Sequence, residues 1–284
     1  MKKLLLILLC LPMIGFGQQT YVPDSLFEAY LEAHAMGNGI ADDNYVTTAN
    51  INTVTSLELL YVQSLVGMSD MTGIEGFAAL EYLNIGDWTG SYLSVTNLDV
   101  SQNTALAVLS CSYNERTSLN ISGATSLTSM GCNFNQLTSL DVSNNLALIG
   151  VDCSNNQIEC LDVSNNTVLE NLVCNDNLLE QLNTRNGNWQ NLDVNALNNN
   201  LTCVEVDNIG IATNDWDFDS FTTITTNCNY TNPCNTSTSL QEHTINKELL
   251  KVTDLLGRET KGAKNEVLFY IYDDGTVEKR IVIE

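Results

Sequence analysis

Apolar positions in the middle of this chain recur at a long fixed step. Cys111, Cys132, Cys153 and Cys174 stand 21 residues apart, as do Asn114, Asn135, Asn156 and Asn177, and Leu106, Leu127, Leu148 and Leu169. A step of ~20 to 30 residues marks coils that stack, each burying its apolar side against its neighbours. Within a coil, segments such as LAVLSCSYN and LTSMGCNFN alternate apolar and polar residues. That alternation predicts a short strand with Leu109 and Cys111 facing inward and Ser110 and Ser112 outward, neighbouring strands building a parallel sheet. A second alternating segment, as in Leu140-Asp141-Val142, returns the chain along the other side of the core, and Ser143, Asn144 and Asn145 turn the corner. Asn at a fixed turn can satisfy main-chain groups of its own coil and the next, which gives the column from Asn114 to Asn177 a structural purpose.

These coils resemble the leucine-rich-repeat pattern L-x-x-L-x-L-x-x-N-x-L, with Cys at the third apolar site. The resemblance implies a leucine-rich-repeat solenoid: β-rich, built on a parallel sheet, with coils of ~21 residues. VTSLEL at 54–59, TGIEGFAALEYLNI at 72–85 and TNLDVS at 96–101 extend the stack upstream, with Gly86 to Val95 as an insertion. Seven or so coils at ~4.8 Å per strand predict a ridge of roughly 30 Å. Ahead of them, PDSLFEAYLEAHAMGNG predicts an amphipathic helix with Ser25 and Glu28 as a capping-box pair and Phe27, Tyr30 and Leu31 on one face. That helix, followed by Ile51 and VTSLEL, resembles the amino-terminal cap of bacterial internalin-like repeat proteins. Trp216 and Phe218 suit the closing of the far end. The expected boundaries are a helical cap over 18–50, a solenoid over 51–206 and a closing cap over 207–228.

The two ends read differently. Lys2 and Lys3 before the apolar run Leu4 to Phe16 read as a signal peptide over 1–17. No segment reaches the ~20 apolar residues of a membrane span. Without that leader, 9 basic residues face 34 acidic ones, a charge of −25 by difference. Nucleic acid and anionic lipid are therefore poor partners. Arg116 and Arg185 are the sole cations between Gln18 and Leu240, whereas seven lie beyond, which places a boundary there. A polar, turn-rich linker is expected over 229–246, then a small β unit over 247–284 with Val267 to Tyr272 and Val277 to Ile283 as a hairpin. Leu255-Leu256-Gly257-Arg258-Glu259, Phe269-Tyr270-Ile271-Tyr272, Asp274-Gly275 and the closing Lys279-Arg280-Ile281-Val282-Ile283-Glu284 resemble the carboxy-terminal sorting domain of type IX secretion cargo from Bacteroidetes, flavobacteria among them. The resemblance implies recognition of the tail by secretion machinery and delivery to the medium or the outer cell surface.

Catalytic chemistry finds little to work with. The only histidines are His34 and His243, no triad suggests itself, and the recurrent Asp99, Asp141 and Asp162 read as a solvated face, so the chain is not expected to be an enzyme. The four ladder cysteines sit in an apolar phase without histidine or C-x-x-C spacing, so they read as buried small hydrophobes and not as metal ligands. No cofactor is expected; calcium is the rival reading, because Asp/Asn-rich corners offer oxygen ligands, although GNGIADDNY lacks the EF-hand order. Cys160 and Cys203 share an outward phase but lie two coils apart, ~10 Å, beyond disulfide reach. Cys203 with Cys228 is the expected bridge, which leaves Cys160 and Cys234 unassigned. Binding is argued from the strand face, where Ser110, Ser112, Gly131, Asn133, Asp152, Ser154 and Asn175 point outward. Tyr113, Phe134, Asn155 and Asp176 stand just beyond, with Glu115 and Gln136 adjacent. Tyr113, Phe134, Asp152, Asp176, Glu115 and Trp88 are the candidate contacts for a surface protein or carbohydrate. The alternative is a structural envelope protein that merely spaces or coats.

Overall fold

The computed structural model describes residues 18–60, 62–86, 93–230 and 234, and the backbone of 249–253, 267–272 and 277–281. The signal-peptide reading and Trp88 fall outside these residues. Contacts divide the chain into two units, Met1–Cys234 and Asn235–Glu284.

In the first unit, seven three-residue strands form one parallel front sheet in chain order. Their central residues Leu57, Leu83, Leu109, Met130, Val151, Leu172 and Val194 pair in register and are all buried. Two residues on, Leu59, Ile85, Cys111, Cys132, Cys153, Cys174 and Ala196 make a second buried column. The thiols thus share a column with leucine, isoleucine and alanine, the environment of a small hydrophobe. All four are unpaired and buried. This unit is a leucine-rich-repeat solenoid.

The asparagine column ties successive coils. The amide nitrogen of Asn135 donates to the carbonyls of Cys111 (3.1 Å) and Cys132 (2.9 Å), while its oxygen accepts from the Arg116 amide at 3.1 Å. Asn156, Asn177 and Asn199 repeat the arrangement one coil at a time, their oxygens taking the amides of Leu137, Ile158 and Leu179. A second column, unforeseen from the sequence, lies at the opposite corner. Asn103, Asn145 and Asn166 are fully buried and donate to carbonyls such as Ile74, Ile121 and Val142.

The return segments form a less regular back sheet. Strands centred on Leu98 and Leu119 pair, and those centred on Leu161, Leu182, Val204 and Ile224 make a second parallel set. The intervening segment keeps Leu140 and Val142 buried but forms no strand. A carboxamide or carboxylate at the third strand position holds the next turn: Asp99, Asp141 and Asp162 accept from the amides of Ser101, Ser143 and Ser164. The acids read as a solvated face are therefore turn-forming.

Three features of the ends correct the expectations. The helix Ser25–Ala33 is capped by Asp24 and not by Ser25, since the Asp24 carboxylate accepts from Leu26 and Phe27 through one oxygen and from Ser69 and Asp70 through the other. One side chain thereby fixes both the helix start and the first coil through its two oxygens. Glu28 turns inward, 1 % exposed, and accepts from the Asp43 amide at 3.0 Å; burial pushes its carboxyl up. Cys160, left unassigned above, is bonded to Cys234, with Cα atoms 5.5 Å apart. Cys203 is bonded to Cys228 at 5.9 Å. Beyond Cys228, Tyr230 donates its hydroxyl to the Cys203 carbonyl at 2.5 Å, and Cys234 is held at Cys160 on the rear strands. Part of the stretch read as a linker is thus a stapled strap. The helix Ile209–Asp215 and Trp216 close the far end, the indole donating to the Leu192 carbonyl at 2.8 Å.

In the second unit, strands Leu249–Thr253, Val267–Tyr272 and Val277–Ile281 form an antiparallel sheet, the last two pairing as a hairpin and the first adding an edge.

Candidate functional site

Five of the seven front strands end at a corner where one residue takes the left-handed backbone conformation. Tyr113, Phe134, Asn155, Asp176 and Asn198 have φ of 57°, 53°, 55°, 56° and 58°. Backbone bonds to the following coil impose it: the amides of Tyr113 and Asn114 donate to the carbonyls of Asn133 and Phe134, and those of Phe134 and Asn135 to Ser154 and Asn155. Asn and Asp tolerate this conformation, because their short polar side chains bond locally. Tyr and Phe have no such compensation, and each costs about 1–2 kcal/mol there. The two aromatic corners are therefore costly choices at positions where later coils carry Asn or Asp.

The rings stack face to face, centroids 4.4 Å apart and planes within 12°. Each remains about two-fifths exposed, 39% for Tyr113 and 42% for Phe134. Tyr113 also borders a shallow recess of about 300 Å³ on the front sheet, lined with it by Leu60, Asn84, Gly86, Ser110, Ser112 and Asn133. Small side chains make the floor. A Cβ on Gly86 would lie 3.2 Å from the Ser110 Oγ and 3.3 Å from the Ser112 carbonyl, so the depth at that point depends on glycine. Toward the first coil, Tyr82 donates its hydroxyl to the Glu58 carboxylate at 3.3 Å; burial, and then Glu58, push the phenol up.

The other candidate contacts are placed differently. Glu115 is exposed beside Tyr113. Asp152 accepts from the Ser154 amide and hydroxyl at 3.0 and 2.7 Å, so its carboxylate is engaged within its own coil. Asp176 accepts from Asn198 and Asn175. Neither acid lines the recess. Leu60, Asn84 and Gly86 escaped sequence reasoning because the upstream coils step by 26 residues, from Leu57 to Leu83 to Leu109. That altered step was the available signal. In the rear recess, the carboxylates of Asp70, Glu75 and Asp99 accept from Thr72, Gly73, Ser101 and Asn120. Among the described residues no group of three or more His, Cys, Asp or Glu is gathered to hold a metal.

No protein-family model matches the chain, and no curated protein matches it. Its solved structural neighbours are leucine-rich-repeat proteins. The functional domain of InlJ from Listeria monocytogenes, which includes a cysteine ladder, is 21% identical, with a TM-score of 0.35 over 72% of this chain and 62% of that one. Internalin C2 of the same organism is 17% identical, with a TM-score of 0.40 over 73% of this chain and 99% of that one. The leucine-rich-repeat domain of APL1B is 20% identical, with a TM-score of 0.42 over 62% and 51%. This chain thus spans under two thirds of the InlJ domain. No helix among the described residues is long and apolar enough to cross a membrane.

Proposed function

We propose that this protein is an exported binding module that holds a surface partner through the front sheet, with Tyr113 and Phe134 as its anchor. One observation carries the reading: two bulky rings are kept, stacked and exposed, at corners where their backbone is disfavoured and where sister coils use Asn or Asp. Local strain retained at a surface is accounted for by what the side chains touch outside the molecule. Rigid aromatics on a hydrogen-bonded scaffold lose little freedom when they bind. The charged tail resembling a type IX sorting domain and the amino-terminal leader support export to the cell surface.

The experiment replaces both rings with the residue the next corner already carries. Tyr113→Asn with Phe134→Asn should leave the melting temperature unchanged or raise it by a few degrees, while capture of intact bacterial or host surfaces falls at least tenfold. Undiminished capture with a lower melting temperature would make the rings packing and favour a purely structural envelope role. Export is tested separately: without Leu249 to Glu284 the folded solenoid should accumulate in the periplasm, and normal surface display would reject the sorting role.

A further inference from the structure

Among the recesses described on the first unit, the front one differs in chemistry. The rear one is lined by Asp70, Glu75 and Asp99, and another, beside the strap, by Glu180. Apart from the Tyr113 phenol, the front recess has no ionisable side chain among its described lining residues, in a chain with 34 acidic residues. Its lining is two carboxamides, two hydroxyls, one aromatic ring, one aliphatic side chain and a glycine.

Stacking on Phe134 occupies one face of the Tyr113 ring. Tyr113 and Phe134 occupy the same position in adjacent coils, so the other face looks back toward the coil of Asn84 and Gly86. Among the described residues the side chains of Ser110, Ser112 and Asn133 make no hydrogen bond within the protein. Asn84 uses its oxygen for the Gly86 amide at 3.2 Å and one N–H toward the Tyr82 hydroxyl, leaving its other N–H donor for a ligand. Four polar groups, Asn84 and Ser110 on strands and Ser112 and Asn133 just beyond strand ends, are therefore presented next to an apolar ring face. A ligand that fits must be uncharged, must offer several hydroxyl or amide groups at close spacing, and must have one apolar face. A cation would be drawn to the acidic surface elsewhere, and an anion would be repelled by the molecule as a whole. A volume of about 300 Å³ lies at the lower end of small-ligand sites, matched to one or two rings and not to a folded partner.

We propose that this recess binds one or two residues of a neutral carbohydrate chain. The sugar's C–H face lies against Tyr113, and its hydroxyls bond Asn84, Ser110, Ser112 and Asn133. The assignment rests on the reading of the aromatic corner as the contact surface and narrows it to a ligand class.

The secreted protein, full length and folded, is applied to an array of neutral and charged oligosaccharides, and hits are titrated by saturation-transfer NMR. At least one neutral glycan should bind with Kd at or below ~1 mM, about −4 kcal/mol. Tyr113→Asn should weaken it tenfold or more and Tyr113→Trp should keep it. Asn133→Leu, which removes hydrogen bonding but not the rings, should weaken it at least fivefold. Absence of any neutral hit, or affinity indifferent to Tyr113→Asn, overturns the proposal. Periodate, which cleaves vicinal diols, separates the two claims. If Tyr113-dependent capture of cell surfaces survives periodate and is abolished by protease, the sugar assignment falls and the binding corner stands. If capture ignores the corner variants, both fall.

Discussion

Arg116 is the residue whose placement departs furthest from its type. It occupies the repeat position that Leu137, Ile158, Leu179 and Leu201 fill elsewhere, and it is fully buried. Its Nε donates to the Cys111 carbonyl at 3.3 Å and its Nη1 to the Val95 carbonyl at 3.2 Å, while Nη2 has no partner among the described residues. Burial pushes the guanidinium below its ordinary value. The insertion explains the exception: Asn114 lacks the usual amide for its oxygen, and arginine is long enough to tie Val95 to the next coil instead. A buried cation without a carboxylate loses several kcal/mol of hydration, whereas one orphaned carbonyl costs about 1–3 kcal/mol. Arg116→Leu, the residue of the next coil, is therefore expected to hold or raise the melting temperature. A fall of more than a few degrees in calorimetry would show that the tie to Val95 outweighs desolvation.

At the scale of the element, the thiol column makes stability depend on alkaline pH. Burial pushes Cys111 up to about 11, Arg116 drawing it partly back, and Cys153 up to about 12, with Asp152 adding to the effect. Cys132 and Cys174 are raised as well, again by burial first. Folded thiols thus keep protons that the unfolded chain surrenders near its ordinary value of 9.0. Their contribution is complete below pH 9 and is lost as pH rises toward 11 and 12. Each thiol adds up to about 1.4 kcal/mol per pH unit to the slope. Urea unfolding should show stability falling steeply from pH 9 to 10.5. Cys132→Ala with Cys153→Ala should roughly halve that slope, alanine being the residue Ala196 already places in this column. An unchanged slope in the double variant would mean tyrosines, and not the thiols, carry it.

At the scale of the molecule, stacking alone leaves the last coils open to fraying, because each coil holds only its neighbours. The strap counters this by tying Cys234 back to Cys160. Cys160–Cys234 closes a separation of 74 residues with the 25-residue Cys203–Cys228 bridge nested inside it. Chain entropy assigns such cross-links about 3–4 kcal/mol each, less when nested. Cys160→Ser should lower the melting temperature by several degrees and make Cys234 reactive to a thiol reagent in the native protein, where the four ladder thiols stay unlabelled. Peptide mapping that finds Cys160 joined elsewhere would refute the strap.

The sequence by itself determined whatever repeats. A coil meets the same surroundings as the coil before it, so one 21-residue pattern was enough to read the buried leucine and thiol columns, the Asn114 to Asn177 series and the parallel sheet. It also placed Tyr113 and Phe134 outward, whereas Ser154, expected to point outward, is buried with its hydroxyl on the Asp152 carboxylate. Only the tertiary structure decided what happens once. The pairing of Cys160 with Cys234 depends on where a polar segment returns in space, and neither spacing nor phase encodes a return path. Asp24 displaced Ser25 as the cap because its second oxygen serves Ser69 and Asp70, more than forty residues away. Arg116 is legible only beside the insertion it mends. The recess exists because an altered step of 26 residues brings Leu60, Asn84 and Gly86 beside Tyr113. Periodic contacts are local rules copied along the stack, whereas singular contacts are set by the path of the whole chain.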